Sequence, residues 1–262
     1  LIFVKLFKEK TMPQFSDDLF LGAAQTYMGT DVDFNLNDPS PMDLGVGPVG
    51  RIYVWDSVPA AKAANNLVTS TTPAASGSLT LTAGAGVTAV VLYTGATAYK
   101  LDMPRAVSVT QVAAGTSRNF TVTGLDFYGQ AMSEVIASTA GSTVNGKKAF
   151  YQITGITVSG ATTTAITVGT TDIFGAPVRF NDKGYLARVG WNGTLAEDAA
   201  TVVVADATTA TTTTGDVRGT VSPSSAADGA KRLVVAILLT GIQAGPNSTR
   251  AGALGVNQNL VS

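Results

Sequence analysis

The chain has 262 residues, a net charge of −1, no histidine and no cysteine. Those absences exclude Ser-His-Asp, Cys-His and HExxH arrangements, thiolate nucleophiles, zinc–thiolate centres and any disulfide framework. Charged residues make up 13% and hydrophobic residues 45%, against a usual charged share of about 25%. The chain is too apolar for disorder, and its near-neutral charge leaves no electrostatic footprint for nucleic acid.

The first residues, Leu1–Ile2–Phe3–Val4–Lys5–Leu6–Phe7–Lys8, are apolar and basic but lack the order and the cleavage site of a signal peptide. Met12–Pro13–Gln14–Phe15 reads as a second natural beginning, so residues 1–11 are expected to be an N-terminal extension from a non-standard start. As an arm, it would dock on a partner through Phe3, Phe7 and Phe15. A short membrane-active segment is the weaker alternative, because so few residues anchor poorly.

Asp31 to Asp38 alternates polar and apolar residues, which predicts a half-buried strand ended by Pro39. Asp31, Asp33, Asn35 and Asn37 also have EF-hand-like spacing. Leu36 stands where the loop glycine belongs and Met42 where the bidentate glutamate belongs, so the strand reading prevails. Gly45 to Gly50 matches GxGxxG, but Pro48 interrupts it and a strand, Arg51 to Trp55, follows instead of a helix.

Pro59 to Asn66 is Ala-rich and predicts one or two helical turns. Beyond Ser70 the text becomes a series of hairpins. Strands are expected at Ser78–Thr82, Val87–Tyr93, Ala106–Val112, Phe120–Thr123, Tyr151–Ser159, Thr164–Val168 and Pro177–Phe180, with glycines between them. Asp126–Gly129 and Asp172–Gly175 share a spacing that suits two type I turn corners. Asp206 to Asp216 is nearly all Thr and Ala and reads as an exposed edge or loop; Ser222 to Gly229 is another loop. Leu233 to Leu239 is an unbroken apolar run, expected to be a strand buried on both faces, either central in a sheet or covered by a neighbouring subunit. It is too short to span a membrane as a helix. Trp55 and Trp191 suit either core packing or an interface.

Spacing and punctuation together predict an all-β fold, an antiparallel sandwich or jelly-roll-like domain over residues 46–240. A division into two sub-domains near residue 190 is possible. Residues 1–45 form an extended N-terminal arm and residues 241–262 a Gly/Asn-rich tail. The only glutamates are Glu9, Glu134 and Glu197, and aspartates such as Asp38, Asp102 and Asp228 sit in turn contexts. No catalytic, cofactor-binding or metal-binding residue is expected, and the protein reads as non-enzymatic.

From Leu101 to Thr110 the phrasing changes character, and it continues through Phe120–Gly124, Tyr128–Glu134, Gly146–Phe150, Val168–Asp172 and Gly175–Arg179. This order of motifs resembles structural proteins of tailed-bacteriophage virions, most of all capsid decoration (cement) proteins. The resemblance covers about residues 45–240 and carries no catalytic signature. It implies a β-rich clamp on the outer capsid surface that binds neighbouring copies of the major capsid protein, itself a homo-oligomer, with neither nucleic acid nor membrane as partner. Two other readings stand beside it, a phage tail-tube or tail-associated protein and a secreted polysaccharide-binding β protein. The scattered aromatics, 7% of the chain, weigh against a sugar-stacking platform.

Overall fold

A computed structural model describes residues 19–20 and 51–238, apart from 114, 181–182, 184–185, 193–196 and 207–214. The N-terminal arm with Phe3, Phe7 and Phe15, the Asp31–Asp38 strand, the Gly45–Gly50 motif and the 241–262 tail lie outside the described residues.

The protein is all-β, and every strand pair is antiparallel. In chain order the strands are β1 (Leu19–Phe20), β2 (Arg51–Ser57), β3 (Val68–Thr71), β4 (Gly77–Ser78) and β5 (Val87–Val91). They continue with β6 (Thr97–Gln111), β7 (Asn119–Leu125), β8 (Ala131–Ala137), β9 (Thr143–Asn145) and β10 (Phe150–Val158). The last are β11 (Ile166–Gly175), β12 (Leu186–Trp191), β13 (Thr201–Val204), β14 (Gly219–Ser222) and β15 (Leu233–Leu238).

Two sheets result. The larger follows the order β13-β14-β11-β6-β10-β7-β8, with β3, β4, β5 and β9 attached along it. β9 leaves the end of β8 and pairs back on β6, so this sheet curls into a half-barrel. Its concave side holds a core that includes Leu101, Val107, Phe120, Val122, Phe150, Ile153 and Val168. The smaller sheet has the order β1-β2-β15-β12. It closes a second core in which Tyr53, Trp55, Val189, Val235 and Ile237 meet Phe174 and Val221 of the larger sheet.

β6 and β11 join the two cores. Leu101, Val107 and Val109 of β6 face the first core, and Met103 faces the second. Ile166 and Val168 of β11 serve the first, and Phe174 serves the second. The changeover needs irregular backbone. Between Thr170↔Val107 and Phe174↔Arg105, four positions of advance on β11 match two on β6, which marks a bulge.

Several expectations are corrected here. Pro59–Asn66 is not helical, because its backbone bonds to other parts of the fold. Ala60 N donates to Asp102 Oδ2 (2.7 Å), and Ala63 O accepts from Thr170 N (2.9 Å). The segment lies so close to β11 that a Cβ on Gly169 would sit 1.8 Å from Ala63 O. Asp172–Gly175 is no turn corner, since all four residues belong to β11 and Asp172 lies in its bulge. Asp126–Gly129 is a turn, closed by Gly129 N donating to Asp126 O (3.1 Å).

Pro177–Phe180 is not a strand, although Val178 and Phe180 are buried; its backbone bonds run to Arg218 and Ala205. Of the expected Ser78–Thr82 strand only Ser78 falls in β4, and β5 stops at Val91. Asp102 lies within β6 rather than in a turn. β15 is central, between β2 and β12, but it is covered on one face only: Leu233, Val235 and Ile237 are buried, and Val234 and Ala236 are half-buried. Trp55 and Trp191 are core residues.

Candidate functional site

The most concentrated chemistry lies inside the protein. Arg105, Asp126, Glu134, Lys148, Asp216 and Arg218 are each 3% exposed or less. Burying isolated charges is costly, so such groups persist only when charge and hydrogen bonds compensate them. Here Arg105 pairs with Asp102 and Arg218 with Asp126, while Glu134 and Asp216 bond the backbone amides around Lys148.

Strand alternation places several of them. Met132, Glu134 and Ile136 are the inward residues of β8, so Glu134 points to the same side as two core side chains. On β7 the inward series Phe120, Val122 and Gly124 leads to Asp126 just beyond the strand end. Lys148 precedes Phe150 by two residues, ahead of β10.

Backbone amides satisfy the carboxylates. Glu134 Oε1 accepts from Lys147 N (2.6 Å) and Oε2 from Lys148 N (3.2 Å). Asp216 Oδ2 accepts from Ala149 N (3.0 Å) and Oδ1 from Arg218 N (2.9 Å). The two acids therefore grip adjacent peptide groups, one on each side of Lys148. Gly146 is required in this turn because a Cβ there would sit 2.5 Å from Glu134 Oε2.

A few residues away, Arg218 pairs with Asp126 and lies over the Tyr128 ring, 4.7 Å from its centroid. Asp126 Oδ1 also accepts from Tyr128 N and Gln130 N, each at 2.8 Å, which fixes the turn. Arg105 donates to Asp102 Oδ2 (2.7 Å) and to Ala60 O (3.1 Å), with its guanidinium 5.0 Å from the Phe174 ring centre. Lys62 Nζ lies 3.8 Å from the buried Asp172.

Burial sets the protonation preferences. It pushes the Glu134 carboxyl up to about 7, against a partial opposing effect from the Lys147 and Lys148 amides. Burial also raises Asp216 and lowers Lys148, so each leans toward its neutral form. Glu134 has a stability consequence. Its folded pKa of about 7 exceeds its ordinary 4.5, so the folded state binds more protons between those values. Stability from this group is present below about pH 4.5 and falls as pH rises through about 7, by roughly 3 kcal/mol at most. Urea unfolding at about pH 5 and about pH 8 should show that loss, and Glu134→Gln should flatten it. An equal slope in the variant would assign the effect elsewhere.

The surface has a different character. β5 pairs with β6 alone, and at the end of this hairpin Val91 is 75% exposed and Tyr93 fully exposed. Among the described residues β8 and β13 are the outer strands of the larger sheet, and each carries an exposed valine, Val135 and Val203. A groove beneath residues 73–80 is lined by aliphatic and hydroxyl side chains such as Thr69, Thr71, Ser76 and Val158, with no charged group.

Sequence reasoning identified none of these groups as a site. It quoted Lys148 only within the virion resemblance, named Glu134 there and among the few glutamates, and read Asp206–Asp216 as an extended edge or exposed loop. The structure instead buries Asp216, joined to Asp206 by a backbone bond from Asp206 N to Asp216 O (2.8 Å). The available signal was parity, a charge on the apolar side of an alternating strand.

The fold defines an all-β antiparallel protein with two cores joined by β6 and β11, and with several charged side chains buried among the described residues. No family model, curated protein or solved structure matches the chain.

Proposed function

We propose that this is a non-enzymatic structural protein of a tailed-phage virion, a decoration protein that binds the outer face of the capsid shell. The observation that carries the reading is the β5–β6 hairpin, which presents Val91 and the fully exposed Tyr93 to solvent. A solvent-exposed tyrosine supplies large contact area at small entropic cost, and tyrosine is enriched among the residues that dominate interfaces.

Other features suit the same role. Thr-, Ser- and Ala-rich faces lose little side-chain entropy on packing, and the near-neutral charge brings little repulsion between neighbouring copies. Among the described residues β8 and β13 end the strand order of the larger sheet, where an adjoining strand of a neighbour could add. Many weak contacts on one lattice add through avidity.

The test is co-expression with the major capsid protein of the genome that encodes this chain, followed by sedimentation of shells. The wild type should travel with the shells. Tyr93→Ser combined with Val91→Ser should leave folding stability within about 0.5 kcal/mol, because both side chains are exposed. The same pair should weaken shell binding at least about tenfold, or about 1.4 kcal/mol. A wild-type chain that stays in the supernatant, or that forms rings alone as a tail protein would, contradicts the reading.

A further inference from the structure

The geometry points to a two-fold dimer of this chain, in which the open edge of β13 pairs antiparallel with β13 of a second copy and Val203 lies opposite itself. The inference concerns the free chain and stands apart from the shell-binding reading.

Three observations carry it. First, the edge is unguarded. Among the described residues β13 pairs with β14 alone, in an unbroken register from Thr201↔Ser222 to Val204↔Gly219. Residues 199–205 hold no charge and no proline. Edges that must stay solitary commonly carry a charge, a proline or a bulge, and this one has none of them.

Second, the backbone fixes which groups face the open side. A Cβ on Gly219 would sit 2.8 Å from Val203 O, so the Val203 carbonyl points to β14. Ala205 N points the same way. It donates to Phe180 O (2.8 Å), and Phe180 N donates to Arg218 O (3.1 Å) just ahead of β14. Peptide groups alternate in direction along an antiparallel strand, so those of Val202 and Val204 face outward to the open edge.

Third, the side chains at this edge are incompletely covered. Val203 is 47% exposed, and Val202 and Val204 are only half-buried although they pack on the second core. A further strand alongside would cover all three.

Symmetry selects the occupant and the register. A two-fold axis perpendicular to the sheet keeps inward residues opposite inward residues, so opposed positions share parity. With the axis at Val203, Val202 of each copy meets Val204 of the other, and their outward groups exchange both hydrogen bonds. Val203 then meets Val203 as a non-hydrogen-bonded pair, the kind in which side chains lie closer. Centring on Val202 would set Val203 against Thr201, and centring on Val204 would set Asp206 against Val202. Only the Val203 axis pairs valine with valine throughout. The paired segment is short, so the dimer is reversible and concentration-dependent.

The experiment compares Val203→Cys with Thr201→Cys in the full-length chain, which has no cysteine of its own. Both side chains are exposed, so the substitutions leave the fold intact. Under a mild oxidant Val203→Cys should form a disulfide-linked dimer, because opposed Cβ atoms lie about 4.5–5.5 Å apart. Thr201→Cys should stay unlinked, since its two copies stand four positions out of register, about 13 Å apart. Sedimentation of the wild type should pass from monomer to dimer between about 1 μM and about 1 mM. Val203→Lys sets like charges across the axis and should raise the dissociation constant at least about tenfold. A wild type still monomeric at about 1 mM overturns the proposal. So does linking at both cysteines or at neither, or a dimer that Val203→Lys leaves unchanged.

Discussion

Arg218→Met is expected to destabilise the protein by about 3–5 kcal/mol, because it leaves Asp126 charged and unpaired in the interior. Arg218 is 2% exposed and Asp126 1%, and they pair directly. The substitution preserves much of the aliphatic volume, so the loss reports charge rather than a cavity. Asp126 cannot simply turn to water, since its other oxygen anchors the Tyr128 and Gln130 amides. Adding Asp126→Asn to the variant should recover part of the loss, because the amide oxygen still serves the turn and no charge remains buried. The check is a double-mutant cycle by urea unfolding. A single-variant cost below about 1 kcal/mol would mean that water or another cation reaches Asp126.

Trp55→Ala is expected to cost about 3–5 kcal/mol, the range for removing a large aromatic from a core. Trp55 is 1% exposed on β2, and its ring meets Phe174 of β11 edge-on, with centroids 6.5 Å apart and planes at 82°. This contact joins the smaller sheet to the larger. The cost should therefore be local as well as global. Hydrogen exchange should quicken first in β2, β15 and β12, while β7 and β10 keep their protection. Uniform acceleration across both sheets would show that the two cores unfold as one unit.

Much of the fold was legible in the sequence because strand alternation and glycine punctuation report it directly. β7 and β10 fall within a residue or two of their expected limits. β15 was marked by its apolar run and is central as expected. What misled was local chemistry overruled by long-range pairing. The sequence reading starts a strand at Ala106, whereas β6 begins at Thr97 and runs through Pro104. The proline is tolerated because β10 pairs with β6 at Lys100 and again at Arg105, with a register shift between them. The Ala-rich segment at 59–66 has helical propensity, but its backbone groups find partners on β6 and β11.

The charge cluster was hidden for a related reason. Glu134 is visible as an inward charge between Met132 and Ile136. Asp216 gave no such sign, because it follows a Thr/Ala stretch with no apolar alternation. That these two acids meet around Lys148 depends on how β8, β10 and β14 are brought together, which no local pattern encodes.

The role proposed for the protein is tested most directly by cryo-electron microscopy of the particles from which this chain can be purified. Density for the β fold on the outer shell, with the Tyr93 hairpin against a capsid subunit, is the predicted result. Density confined to the tail, or a soluble chain with no particle, would contradict it.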